Sequence, residues 1–295
     1  MATFNKTLSG TDYIITSGDV LSSTYGLGYF GDGGDGDATI TGSLTLSREV
    51  YYNNLSITGT GSVKPNGYKI YVKETLTIET SASINDDGNN ASGLTQGTGL
   101  GARNYLGAVG GAGAPGRNTS GTGNGGTTSA GNSSLNASAV APLGGTGGAA
   151  GANAGGPPGS AAQPSPNQRW NGRWYDGRAS VAAFNGGSGG GGGALLATPG
   201  NSGAGGSGGG IVWVAAKTVV NNGRISANGG NGSDATGVNT AGGGAGGGGG
   251  LVCLITKTTS YGSVTANGGS GGAGVAGGGS GGVGNSGSVA IVVVS

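Results

Sequence analysis

The chain contains no histidine and a single cysteine, Cys253. Histidine-based catalytic triads, histidine-ligated metal sites and an intrachain disulfide framework are thereby excluded, and nothing in the sequence asks for a cofactor or marks an enzyme. Charge is equally scarce, with 8% of residues ionic and a formal net charge of +1. That balance lacks the electrostatic term on which nucleic-acid binding rests, so no nucleic-acid partner is expected. No run reaches the ~18 apolar residues of a membrane helix, which argues against membrane insertion. The opening MATFNKTLSG lacks the basic-then-apolar pattern of a signal peptide, so synthesis in the cytoplasm without Sec export is expected.

What is present instead is glycine, 77 of 295 residues. Collagen does not account for it, since glycine falls short of one residue in three and only 8 prolines occur. Disorder does not account for it either. IVWVAAKTVV (211 to 220), LVCLIT (251 to 256) and SVAIVVVS (288 to 295) are strongly β-prone and nearly uncharged, and would aggregate if left exposed. Cys253 sits inside one of these segments and reads as a small buried apolar residue.

A repeat organises the strands. LSITGTGSVKPNG (55 to 67) aligns with LTIETSASINDDG (76 to 88), then with KTVVNNGRISANG (217 to 229) and, one residue shorter, with KTTSYGSVTANG (257 to 268). Each copy is an alternating strand, a small turn, a short strand centred on Val63, Ile84, Ile225 or Val264, and an Asn/Asp-Gly turn. Ahead of two copies, IYV (70 to 72) and IVWV (211 to 214) align at the same offset of 141 residues as the repeats that follow them. Recurrence at about 21 residues predicts an all-β fold of β-solenoid-like rungs, with Val219 and Ile225 pointing inward.

Glycine-rich insertions separate the rungs, as in GGSGGGGGALL (186 to 196) and AGGGAGGGGG (241 to 250). Glycine costs ~1 kcal/mol per residue in an α-helix relative to alanine, whereas threefold extended helices without Cβ atoms can lie close and exchange backbone hydrogen bonds. The insertions are therefore expected to be ordered and packed as polyglycine II helices, fixed at both ends by strands. The chain divides accordingly into an N-terminal attachment segment (1–37), a β-solenoid-like module (38–95), a glycine-rich insertion (96–210) and a glycine-rich/β-strand module (211–295).

Two clusters offer chemistry. GDGGDGD places Asp32, Asp35 and Asp37 among turn-forming glycines, which reads as a turn-rich linker or, more weakly, as a calcium site. NQRWNGRWYDGR (167 to 178) gathers Arg169, Trp170, Arg173, Trp174, Tyr175 and Arg178. Trp, Tyr and Arg dominate binding hot spots, so this cluster is a candidate receptor contact; it reads equally as a miniature core completed by Phe184. The N-x-[ST] triplets at Asn54, Asn118 and Asn136 reflect composition alone.

The stretch from 30 to 78, with its GDG-rich opening, YYNNL and NGYKIYVK, resembles a module near the N-termini of phage virion proteins. A glycine run followed by IVWVAAKTVVNNGRISANGG (211 to 230) resembles glycine-rich phage adhesins, among them the receptor-recognising proteins at T-even-like tail-fibre tips. The N-terminal module differs from the fibre-attachment domain of those adhesins. The resemblance implies a tail-fibre or receptor-binding protein on the virion surface that meets other virion subunits and a host surface glycan or outer-membrane protein. A capsid-decorating head fibre and a bacterial surface or appendage protein are the alternatives. Uncapped apolar strands and the habit of viral fibres suggest a homotrimer.

Overall fold

The computed structural model describes residues 4–8, 11–15, 29–100, 112–118, 146–150, 154, 169–170, 173–174, 186–197 and 199–294. Among these residues every regular element is a strand and the class is all-β. The first two strands, β1 (Phe4–Leu8) and β2 (Thr11–Ile15), form an antiparallel hairpin. Then follow β3 (Ala38–Ile40), β4 (Ser43–Thr45), β5 (Val50–Tyr52), β6 (Leu55–Ile57), β7 (Ser62–Lys64), β8 (Ile70–Ile78) and β9 (Ser83–Asn85). The remainder are β10 (Arg169–Trp170), β11 (Arg173–Trp174), β12 (Gly200–Asn201), β13 (Ile211–Asn221), β14 (Arg224–Ser226), β15 (Thr236–Gly237), β16 (Leu251–Thr256), β17 (Ser263–Thr265) and β18 (Ser288–Val293).

Two parallel sheets carry the architecture. One has seven strands in the order β18-β16-β13-β8-β6-β3, with β5 also on β8; the other has five in the order β17-β14-β9-β7-β4. Sequence neighbours such as β6 and β7, β8 and β9, or β13 and β14 contribute one strand to each sheet. Ile57, Val63, Ile78, Ile84, Val219, Ile225 and Leu254 interlock in one buried cluster joining the layers. The far side of the seven-stranded sheet is buried as well, by Ile211, Trp213, Ala215, Leu251, Cys253 and Ile255 with Phe30. Burial on both faces explains why β13 and β16 read as continuous apolar runs rather than alternating ones.

The repeat alignment matches the observed pairing where turn lengths agree. Leu55 pairs with Leu76, Ile84 with Ile225, and Ile225 with Val264. Val219 and Ile225 both point into the shared core. The fourth copy contributes only its second half to a sheet, because the chain leaves the strand after Thr256 and bends through 257 to 262. The alignment needs correction upstream of β9 and β14: Ile70 pairs with Val214 rather than Ile211, and Leu76 with Val219 rather than Lys217. Two local differences cause the slip. A bulge lies between Ala216 and Thr218, and the turn from β8 to β9 spans 79 to 82 whereas that from β13 to β14 holds only Asn222 and Gly223.

The glycine-rich tracts continue directly from the strands. Outgoing tracts leave the five-stranded sheet after β9, β14 and β17, and returning tracts re-enter the seven-stranded sheet at β13, β16 and β18. Their backbone bonds recur every third residue rather than every second. Gly203, Gly206 and Gly209 donate to Gly242, Ala245 and Gly248 in the next returning tract. Gly229, Gly232 and Ala235 donate to Asn267, Ser270 and Ala273 in the next outgoing one. Between outgoing and returning tracts, Gly244, Gly247 and Gly250 donate to Ser233, Gly230 and Ala227 in antiparallel sense.

The tract 241–250 is buried at every residue and has neighbours all round. It donates to three segments: to Ala194, Gly191 and Ser188; to Gly279, Gly282 and Asn285; and to Ser233, Gly230 and Ala227. It also accepts from three others, through Gly203, Gly206 and Gly209, through Gly269 and Gly272, and through Gly148. The described glycines of this tract do not adopt positive φ. What they supply is the missing Cβ: one built on Gly246 would collide with the carbonyl oxygen of Gly269, and one on Gly244 with that of Ala204.

Candidate binding surface

In the outgoing tract 227–235, at the outside of the described bundle, the N–H groups of Asn228 and Asn231 meet no backbone carbonyl among the described residues. Side chains from the preceding tract fill the gap. Asp87 Oδ1 accepts from the Asn228 N–H at 2.7 Å and Asn90 Oδ1 from the Asn231 N–H at 2.8 Å. One layer on, Asn228 Oδ1 accepts from Asn267, Asn231 Oδ1 from Ser270 and Asp234 Oδ1 from Ala273, at 2.7 to 3.0 Å. The result is a ladder of Asn and Asp, three residues apart along each tract. Its trace is legible in the sequence as the three-residue spacing of Asn228, Asn231 and Asp234. Serine performs the same service inside: Ser207 Oγ accepts from the Asn89 N–H and Ser202 Oγ from that of Arg117.

Of the aromatic-basic cluster, Arg169 pairs with Trp174 and Trp170 with Arg173 in a minimal antiparallel ladder. The backbone thus gathers four of the six candidate residues, while Tyr175, Arg178 and Phe184 lie outside the described residues. The segments flanking the insertion that bears this hairpin are locked into the glycine bundle. Ala194 donates to Gly148 at 2.9 Å, Gly193 to Gly203 and Gly148 to Gly243.

The three aspartates of the GDGGDGD stretch do not converge. Asp32 Oδ1 accepts from the Gly34 N–H. Asp35 takes both Arg48 Nη groups at 2.7 and 3.0 Å together with the Tyr51 N–H. Asp37 accepts from Asn53 and Asn54 side chains and from the Asn54 N–H. Those hydrogen bonds, led by Arg48 for Asp35 and Asn53 for Asp37, hold both carboxyls below the usual carboxylate range. Among the described residues no group of three or more Asp, Glu, Cys or His is placed to hold a metal ion. The carboxylates fasten the segment 31–37 alongside β5.

An aromatic row on the outer face of the seven-stranded sheet was not anticipated from sequence. Tyr51 and Tyr71 stack at 4.8 Å with planes 4° apart, and Tyr71 meets Trp213 at 5.0 Å. Lys69 Nζ lies 5.6 Å above the Trp213 ring. Burial, aided by the hydrogen bond to Glu49, pushes the Tyr51 phenol up to about 12. Trp213 is fully buried and its Nε1 has no acceptor. The sequence signal was faint, since the three residues come from three different strands, β5, β8 and β13, and become adjacent only through parallel pairing.

Comparison with protein-family models, curated proteins and solved structures finds no match.

Proposed function

We propose that this chain is a bacteriophage virion surface protein of the fibre or receptor-binding kind, built as a β-solenoid whose insertions pack as polyglycine II helices. The observation that carries the structural half of this reading is the three-residue hydrogen-bond period of tract 241–250, with donors aimed at three neighbours and acceptors facing three more. Threefold extended helices in a hexagonal array require that pattern; twofold β-strands do not produce it. A bundle whose interior is backbone is stiff without a large apolar core, which suits a protein that must project from a particle.

The functional half rests on the insertion between 150 and 186. Its flanks are held in the bundle, and within it Arg169, Trp170, Arg173 and Trp174 are drawn together by backbone pairing. The concentration of Trp and Arg side chains in this cluster supports host contact through it, with a surface glycan or outer-membrane protein as receptor and other virion subunits as structural partners. Changing Trp170, Trp174 and Tyr175 to alanine tests it. Adsorption to host cells is expected to be lost with an unchanged melting temperature. Intact adsorption in a folded variant would remove the receptor role and leave the capsid-decorating head-fibre reading.

A further inference from the structure

The two ends of the strand stack differ in charge and in side-chain chemistry. At the β3–β5 end the edge is dressed with charge: Asp35, Asp37, Arg48 and Glu49, with Arg48 paired to Asp35 at 2.7 Å. Charged side chains on an edge strand discourage further pairing. At the other end nothing comparable exists. No residue from 258 to 295 is ionic. The outermost described strand, β18, is after Ser288 a run of Val, Ile and Ala whose Val289 and Val293 remain 42% and 49% exposed.

The backbone of β18 is only half used. Its bonds to β16 come from alternate residues, as Ser288 donates to Gly250 and Val294 to Thr256. In a parallel pair the intervening residues direct both N–H and C=O to the opposite side, so those of Val289, Ile291 and Val293 face the open edge. The side chains of these same residues belong to the inner apolar layer, since Val289 is in register with Val252 and Ile291 with Leu254. The five-stranded sheet stops at β17 and offers β18 no counterpart. Among the described residues the end of the stack is therefore an unpaired edge and an uncovered core at once.

We propose that this edge joins two copies of the chain, β18 against β18 in antiparallel sense, about a twofold axis at Ile291. In that register Ile291 faces its own copy and Val289 faces Val293, so the outward N–H and C=O groups of these residues meet partners. Ala290 faces Val292, and Ser288, opposite Val294, is the one polar side chain of β18 in the contact. A head-to-tail contact with the β3–β5 end would instead bury the Arg48–Asp35 pair and Glu49, a costly desolvation. Uncharged meeting uncharged avoids it.

Sedimentation of the full chain is expected to give twice 27.4 kDa. Ile291→Pro deletes one outward N–H while leaving the bonds from Ser288 and Val294 to the neighbouring strand, and should raise the concentration needed for dimerisation at least about tenfold. Ile291→Cys supplies a second readout. A hydrogen-bonded antiparallel pair sets Cα atoms about 5.5 Å apart, within disulfide range, so mild oxidation should give a covalent dimer on a non-reducing gel. A 27.4 kDa species, a trimer or a mass that grows without limit overturns the proposal. So does a dimer that leaves Ile291→Cys uncrosslinked.

Discussion

Replacing Gly246 by alanine is the most searching test of the glycine bundle, because elementary expectation points the other way. Away from constraint, Gly→Ala stabilises by ~0.4–1 kcal/mol through the unfolded chain. Gly246 is buried, its φ is not positive, and an added Cβ would overlap the Gly269 carbonyl group, with the Ser270 oxygen at 2.9 Å. Relief requires the tract 266–274 to withdraw, stretching the bonds from Gly269 to Gly247 and from Gly272 to Gly244, each 2.8 Å. Two buried bonds disrupted at ~1–3 kcal/mol each, less the unfolded-state gain, leave a loss of about 3 kcal/mol. On the scale of ~2–4 °C per kcal/mol, melting should fall by at least about 6 °C. Gly42→Ala is the matched control, since a Cβ there meets nothing within 4 Å and its φ is not positive. Thermal melts of both proteins followed by circular dichroism decide the matter. A Gly246→Ala protein as stable as Gly42→Ala would refute backbone packing as the source of order in these tracts.

Asp35, held below its ordinary range by Arg48, contributes stability that is present above the unfolded carboxylate value of ~4 and is lost as pH falls through its folded value. Melting curves between pH 5 and pH 2 should therefore drop less steeply in Asp35→Asn than in the parent, and equal slopes would contradict the pairing. Trp213→Phe should cost less than the ~3–5 kcal/mol of a tryptophan truncated to alanine, because it removes a buried N–H that has no acceptor while keeping a ring against Tyr71. Urea unfolding of the Phe and Ala variants gives that comparison.

The repeat was readable wherever side chains encode it. Leu55, Leu76, Ile84, Ile225 and Val264 stand in segments that alternate with polar residues and end in Asn/Asp-Gly turns, and the pairs Leu55–Leu76, Ile84–Ile225 and Ile225–Val264 form as aligned. The slip between Ile70 and Val214 was not readable, since a bulge and a shortened turn leave the apolar pattern intact while changing the count. Partner choice among the tracts was hidden for a deeper reason: glycine has no side chain with which to announce a neighbour. Only the interruptions speak, as with Asn228, Asn231 and Asp234, whose three-residue spacing reflects the exposed face. In the candidate site, the concentration of Trp and Arg was visible at once. The aspartates of 32 to 37 read as a turn-rich linker with a weaker calcium alternative, and what they fasten to was not legible because their partners, Arg48, Asn53 and Asn54, lie some distance along the chain.

The three-residue period also sets a rule for how such a chain can change in length. Adding three residues to the tract 241–250 would carry every donor one full hydrogen-bond period onward and aim it at the same neighbour as before. Adding one or two would rotate each N–H toward the wrong neighbour for the rest of the tract. The strand that follows, β16, is tied in register to β13 at Ile211 and Leu251 and cannot turn to compensate. Outgoing and returning tracts are bonded to one another, so a lengthened tract stays covered only if its partners lengthen with it. Growth of the bundle is thus confined to steps of three residues shared across a layer, a constraint on gene variation that arises from backbone geometry and that the Asn/Asp ladder of the outer face has to follow in step.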